Sequence, residues 1–412
     1  MSANPWTTII IVAITFIGIA IGKLPVIKTN RTTISLMGVA LLIFTNQVDF
    51  SKIQTYIDFD TIILLFSMMI INANLKMAGF FVVIDHSLSR LIKTPRTFLA
   101  LEIFTVGILS ALFLNDTICL MFTPFIITLV FNLNRNPFPY LVALATAANL
   151  GSVATLTGNP QNMIIGVASG IPYLDFTLAL LPIALSGMAV IWLVLVKMYP
   201  FEFRKGETLE SQQDLSNPVQ KPLLVKSLLI TGGLLIAFLS GAPIAMASFI
   251  AASILLITRR HKPEAVFAEF DWTLLVFFAA MFILSGSLET SGVTTTLIDL
   301  NSLAERANIL NLTIITGVLS NLISNVPAVL LLKPVVANME NARLGWLTIA
   351  AASTLAGNLT LLGSVANLIV AEIAERWRID LNFWEYTKSG VIITVISLVL
   401  SVLWLNLLYY WF

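Results

Sequence analysis

The sequence predicts an all-α protein that crosses a membrane many times, built from two units of like design set in opposite directions. Three observations predict it. Of 412 residues, 58% are hydrophobic and only 11% charged, against roughly 25% charged in a soluble domain, and a water-soluble fold of this length has no core large enough to hide that surface. Long windows free of Asp, Glu, Lys and Arg recur, at 1–22, 32–48, 61–75, 176–196, 227–258, 272–288 and 389–412. Finally, an ordered set of polar interruptions appears once in each half. This composition excludes soluble enzymes, nucleic-acid-binding proteins and disordered chains. A net charge of +1, a single cysteine (Cys119) and two histidines (His86 and His261) leave no donor set for zinc or haem, and no bound cofactor is expected.

A helix needs about 17–25 apolar residues to cross the hydrocarbon. The first run, Trp6 to Gly22, has no basic segment before it and reads as a retained span. Ordinary spans are expected at about 6–24, 32–48, 59–76, 174–198, 224–240, 244–258, 272–289 and 388–411, with Gly241-Ala242-Pro243 dividing the long window 227–258. Two segments, 97–131 and 311–338, are apolar on both sides of a polar tip, Asn115-Asp116-Thr117 and Ser324-Asn325-Val326-Pro327. Their arms look too short to cross, so both read as re-entrant helical hairpins. Two more, 140–170 and 345–375, are long enough to cross but are broken at Thr155–Asn162 and Thr360–Asn367. Non-helical backbone at membrane depth survives only where it faces protein or a cavity.

Charge placement fits this map with the N-terminus outside. All but four of the 23 Lys and Arg fall on cytoplasmic loops or span ends; Lys52, Arg306 and Arg343 lie outside and Lys333 within the second hairpin. Residues 199–223 read as a cytoplasmic linker between a first repeat, 1–198, and a second, 224–412. The landmarks repeat in order: Asp58, Leu75 and Gly79 match Asp271, Leu288 and Gly292; Asn115 and Pro124 match Asn325 and Pro334; Leu150, Thr155, Leu156, Gly158 and Asn162 match Leu355, Thr360, Leu361, Gly363 and Asn367. Five crossings per unit, an odd number, would make this an inverted repeat, a design of secondary transporters with a site at mid-membrane between the units.

An unpaired amide in hydrocarbon costs several kcal/mol. Asn115, Asn162, Asn325 and Asn367 should therefore bond one another, backbone freed at the breaks, or a solute. The bland alternative is capping, since Asn and Ser are good N-caps. The candidate substrate- and ion-binding set is Asn115, Asp116, Thr117, Thr155, Thr157, Gly158, Asn159, Asn162, Ser324, Asn325, Thr360, Gly363, Ser364 and Asn367. Asp116 is the acid of the first tip and reads as a coupling-ion ligand, a titrating group, or a partner of Lys333; Lys333 is a candidate counter-charge or an interfacial snorkeller. His86 with Arg90 and Lys93 marks an interfacial amphipathic helix over Phe80–Thr94. Arg259-Arg260-His261-Lys262 is a basic topology signal, and Trp404–Phe412 an interface anchor. Gly151 and Gly158 lack the Gly-Lys-Ser/Thr of a phosphate loop.

The phrases Asn115-Asp116-Thr117, Thr157-Gly158-Asn159-Pro160-Gln161-Asn162, Ser324-Asn325-Val326-Pro327 and Ala356-Gly357-Asn358 through Asn367 resemble the ion transporter superfamily: divalent anion:sodium symporters, citrate-transporter-like permeases, arsenite permeases and some sodium/proton antiporters. The resemblance covers nearly the whole chain and is closest to bacterial anion permeases. It implies a secondary-active permease of the bacterial cytoplasmic (inner) membrane, moving a small anion, arsenite or another oxyanion among them, on a proton or sodium gradient. It also implies a homodimer, with Asn115 and Thr117 of the first tip and Ser324 and Asn325 of the second holding sodium and substrate; with the added acid, the candidate sodium ligands are Asn115, Asp116 and Asn325. The first tip departs from the symporter pattern Ser-Asn-Thr, with Leu114 for serine and Asp116 inserted; the second has Val326 for threonine. That shifts the expectation from dicarboxylates towards arsenite permeases or a sodium/proton antiporter. A membrane enzyme or sensor is disfavoured for want of a catalytic cluster, and pairing with a separate ATPase is left open.

Overall fold

Local signals start and stop the helices where the polar punctuation predicts. The computed structural model describes residues 4–21, 30–204, 219–257, 262–291 and 308–409. Every regular element among them is helical. The first half holds α1 (Pro5–Ile21), α2 (Arg31–Phe44), a 3-10 turn (Phe50–Thr55), α3 (Phe59–Ala78), α4 (Phe80–Leu91), α5 (Pro95–Leu112), α6 (Asn115–Asn132), α7 (Pro137–Ser152), α8 (Pro160–Ser169) and α9 (Tyr173–Met198). The second half holds α10 (Lys221–Leu239), α11 (Ile244–Leu256), α12 (Pro263–Phe267), α13 (Trp272–Thr290), α14 (Ile309–Ile323), α15 (Asn325–Ala337), α16 (Ala342–Ala356), a 3-10 turn (Leu361–Gly363), α17 (Val365–Arg376) and α18 (Phe383–Tyr409).

Side-chain caps fall at matched places. Asp58 and Asp271 accept the orphan N–H groups opening α3 and α13. Asn136 and Asn341 do so for α7 and α16, and Asn159 and Ser364 for α8 and α17. Gly79, at φ +82°, supplies the left-handed residue that ends α3 and turns the chain into α4. Pro124 and Pro334 sit at corresponding points inside α6 and α15, where each removes one backbone hydrogen bond.

Among the described residues seven helices, α3, α5, α6, α9, α10, α13 and α18, are long and apolar enough to cross a membrane; α1, α2, α11, α14 and α15 are shorter apolar helices. This corrects one expectation. The arms of the first hairpin, α5 and α6, are 18 residues each and not too short to cross, because Pro95 and Asn132 extend the run beyond its most apolar part. The last span also begins earlier than expected, at Phe383, so the helix takes in Glu385 and Lys388. The core of the linker, Lys23 and Lys28, Arg259-Arg260-His261, Gly292, Arg306 and the last three residues lie outside the described residues.

The halves pack reciprocally: α3 lies on α11 while α13 lies on α2, and α6 lies on α17 while α15 lies on α8. Between them α9 packs along α18, and α7 touches both α16 and α17. The centre of the molecule is therefore where the two broken helices meet.

Candidate functional site

The first break spans Val153–Asn159, between α7 and α8; the second runs from Gly357 to Ser364, between α16 and α17. Each is held by an asparagine of the helix that follows. Asn162 donates its amide to the carbonyls of Ser152 (3.1 Å) and Thr155 (2.9 Å). Asn367 does the same at the matching carbonyls of Gly357 (2.8 Å) and Thr360 (3.1 Å). Both side chains are fully buried, so each satisfies the backbone that the break releases.

The breaks are cross-linked by a second reciprocal pair. Asn159 caps α8 and donates to Thr354 Oγ1 of α16 at 3.4 Å. Ser364 caps α17 and donates to Asn149 Oδ1 of α7 at 3.1 Å. Asn149 is the hub. Its Oδ1 also accepts from Asn115 Nδ2 of the first tip at 3.1 Å, and its amide donates to Asn358 Oδ1 (2.8 Å) and Asn367 Oδ1 (3.1 Å). Two donors and two acceptors are thus all used. Gln161 adds a bond to Thr354 Oγ1 at 2.9 Å, and Asn358 donates to the carbonyl of Thr146 at 3.3 Å.

The tips dock on these breaks. The Asn115 N–H donates to the Gly158 carbonyl at 3.0 Å, and Thr155 Oγ1 donates to the carbonyl of Ala111. A Cβ at Gly158 would lie 2.5 Å from the Ser152 carbonyl oxygen and 2.9 Å from that of Ser110, so only glycine lets tip and break close. At the second tip the single Ser320 hydroxyl proton is shared between Asn325 Oδ1, 2.5 Å from Oγ, and the Ser353 carbonyl, 2.8 Å from it. Asn321 ties α14 to the Ala356 carbonyl at 2.9 Å, and a Cβ at Gly363 would meet the Gly357 carbonyl oxygen at 2.7 Å. Ser324 holds φ +82° and ψ 160°, a region normally left to glycine, and its side chain caps nothing.

Asn115, Asn159, Asn162, Ser364 and Asn367 therefore meet at the centre, with Thr155, Gly158, Thr360 and Gly363 supplying backbone or close packing. Thr157 is set apart, its hydroxyl 3.3 Å from Tyr173 OH; Tyr173 stacks on Phe238 with ring centroids 5.0 Å apart. Thr117 accepts from Asn72 Nδ2 at 3.4 Å. No ion pair joins Asp116 to Lys333 among the described residues; the charges acting on Asp116 are those of Asp271 and Arg31, at the starts of α13 and α2. Buried oxygens of this region without a hydrogen-bond partner among the described residues include Ser110 Oγ, Asn115 Oδ1, Asn162 Oδ1, Asn72 Oδ1 and Asn321 Oδ1. A cavity of about 310 Å³, lined by Asp60, Leu156, Tyr173 and the Gly241–Ala245 turn, reaches the side of the first break. No group of three or more His, Cys, Asp or Glu that could hold a metal occurs among the described residues.

Sequence reasoning missed Asn149, Thr354, Ser152 and Ser320. Asn149 and Thr354 lie at matched positions inside apolar helices, with no Gly or Pro beside them to signal a break. Their sequence signals were the register that pairs Leu150 with Leu355 and, for Asn149, an amide set in an apolar run.

The sequence profile of a citrate transporter family (CitMHS) matches residues 11–356. The chain belongs to that family. It is a multi-pass membrane transporter, and its relatives are named accordingly. The silicon efflux transporter LSI3 of Oryza sativa subsp. japonica is 29% identical, across 91% of this chain and 92% of that protein. The 46 kDa membrane protein of Mycobacterium leprae is 28% identical across 97% and 99%, and the transporter arsB of Dictyostelium discoideum, so named on a provisional basis, is 25% identical across 97% and 92%. Among solved structures, the YdaH transporter of Alcanivorax borkumensis shares the fold, at a TM-score of 0.57 and 14% identity, covering 98% of this chain and 97% of that one.

Proposed function

We propose that this transporter is a secondary-active permease for a small, weakly acidic oxyacid or its anion, driven by a proton or sodium gradient across a bacterial inner membrane. One observation carries the reading. The hub around Asn149 joins both breaks and the first tip through amides and hydroxyls, and no Lys or Arg lies on either tip or break. A polyanion such as citrate, taken from water, needs cationic partners to offset its desolvation. A small hydroxylated acid that is largely neutral near physiological pH needs donors and acceptors in equal measure, which amides and hydroxyls supply. The relative named for silicon efflux points to the same solute class.

The halves are read as an inverted repeat, 1–198 and 224–412 joined by 199–223. Reciprocal packing, paired caps and the mirrored Asn162 and Asn367 bonds support this. The first tip is the candidate coupling-ion site, where Asp116 and the unpartnered Ser110 and Asn115 oxygens offer hard-oxygen ligands to sodium. That same acid favours a second reading, a sodium/proton antiporter. Uptake by purified protein in proteoliposomes tests the choice, with silicic acid, arsenite and citrate each measured under imposed sodium and proton gradients. Gradient-driven movement of an oxyacid, with citrate excluded, is expected. Citrate uptake without oxyacid movement would reverse the assignment, and cation exchange without any solute would favour the antiporter.

A further inference from the structure

Glu102 is used by nothing described so far. It lies on α5, the first arm of the first hairpin, and is 1% exposed. Neither of its carboxylate oxygens has a hydrogen-bond partner among the described residues. We propose that Glu102 is a proton-binding site of the first hairpin, through which protons enter the transport cycle from the cytoplasmic side. This rests on the transport reading above.

The surroundings carry the argument. The ionisable side chain that α7 presents is Tyr140, within electrostatic reach of Glu102; Phe98, one turn before Glu102, stacks on its ring at 4.6 Å. From α9 the charged or titratable groups are Tyr173, Asp175 and Lys197; from α6, Asp116 at the tip and Cys119 one turn on; from α4, Asp85, His86 and Arg90. Arg96, on α5 itself, donates to the Phe203 carbonyl at 2.8 Å. Glu102 thus has no paired counter-charge among the described residues, and an isolated carboxylate removed from water is too costly to persist. The group rests as the neutral acid and ionises only when its surroundings change.

Polar groups continue from Tyr140 toward one end of the helices. Tyr140 OH donates to Glu202 Oε1 at 3.1 Å, and Glu202 Oε1 lies 3.8 Å from Arg135 Nε. These groups sit where α7 begins and α9 has ended, the end that charge placement assigns to the cytoplasm. Packing does not account for the acid. Gly107, Ser110, Asn115 and Pro124 of the first hairpin correspond in register to Gly317, Ser320, Asn325 and Pro334 of the second. In that register Glu102 corresponds to Leu312, which is 2% exposed. A leucine fills the equivalent place, so the carboxyl is present for its proton.

Infrared difference spectroscopy of the purified protein in lipid nanodiscs, titrated with pH, reads the proton directly. The carboxylic-acid carbonyl band of the wild type should lose one component in both Glu102→Gln and Glu102→Leu, the latter copying the second hairpin. In proteoliposomes, flux driven by a pH gradient should fall at least tenfold in Glu102→Gln. An unchanged band together with unchanged pH-driven flux would overturn the proposal. The spectrum needs no transport, so loss of the band with no solute moved by the wild type would uphold Glu102 and sink the transport reading instead.

Discussion

The side-chain amide of Asn149 makes four hydrogen bonds, to Asn115, Asn358, Ser364 and Asn367, which belong to three separate segments. Removing it leaves several of these groups buried and unpaired, at about 1–3 kcal/mol for each that finds no new partner. Asn149→Ala should lower the thermal unfolding midpoint in detergent and abolish flux. Asn149→Asp, which keeps the acceptor for Asn115 but loses the donors to Asn358 and Asn367, should retain more stability while still failing to transport; unaltered flux in both would detach the hub from function. Asp116 makes the opposite case. Its position was legible in the sequence, but its surroundings were not: the partner suggested by the sequence, Lys333, is unpaired with it, and Arg31 and Asp271 from distant spans act on it instead. Asp116→Asn should therefore reduce sodium-driven flux while leaving the solute bound, measured as gradient-driven uptake against equilibrium binding. Intramembrane polar residues are visible in a sequence because they are rare. Which of them meet depends on how the helices cross, and no local pattern carries that.

At the scale of elements, the interruptions between α5 and α6, α7 and α8, α14 and α15, and α16 and α17 were legible as Asn, Ser, Gly and Pro set in apolar runs. The arm lengths of the first hairpin were not, because helix continues through Pro95 and Asn132 after apolarity fades. The approach of each first arm to its broken helix differs between the halves. A Cβ at Gly151 would stand 2.0 Å from the Gly107 carbonyl oxygen and 2.4 Å from its Cα, and backbone cannot yield that much. In the second half Ala356 stands in the matching place, and a Cβ at Gly317 would meet it at an ordinary 3.7 Å. Gly151→Ala should thus deplete folded protein in the membrane, while Gly317→Ala should be tolerated, both scored by fluorescence-detected size exclusion. The amphipathic α4 carries a pH dependence of its own. Burial pushes the Asp85 carboxyl up from 3.8 to about 8. An acid raised on folding holds its proton in the folded state over the interval where the unfolded chain has released it, so docking of α4 weakens as pH climbs through that interval. Asp85→Asn should flatten the decline in thermal stability between about pH 4 and pH 8, whereas an unchanged slope would place its origin elsewhere.

Across the whole molecule, the halves interlock rather than sit side by side: each contributes a hairpin, a broken helix and a packing partner for the other. Composition was enough to read a helical, multi-span membrane protein. The inter-half bonds Asn149–Asn358, Asn149–Asn367 and Asn159–Thr354 span about half the chain, and only the folded chain brings those residues together. A small oxyacid is proposed to bind at this crossing. Solute-dependent thermal stabilisation of the purified protein tests it most directly, since a ligand that binds the folded state alone adds about 2.7 kcal/mol at one hundred times its dissociation constant. Silicic acid or arsenite should raise the unfolding midpoint of the wild type and of Asp116→Asn, and should fail to do so for Asn149→Ala and Asn115→Ala. Equal stabilisation of all four proteins would place the solute elsewhere and contradict the account.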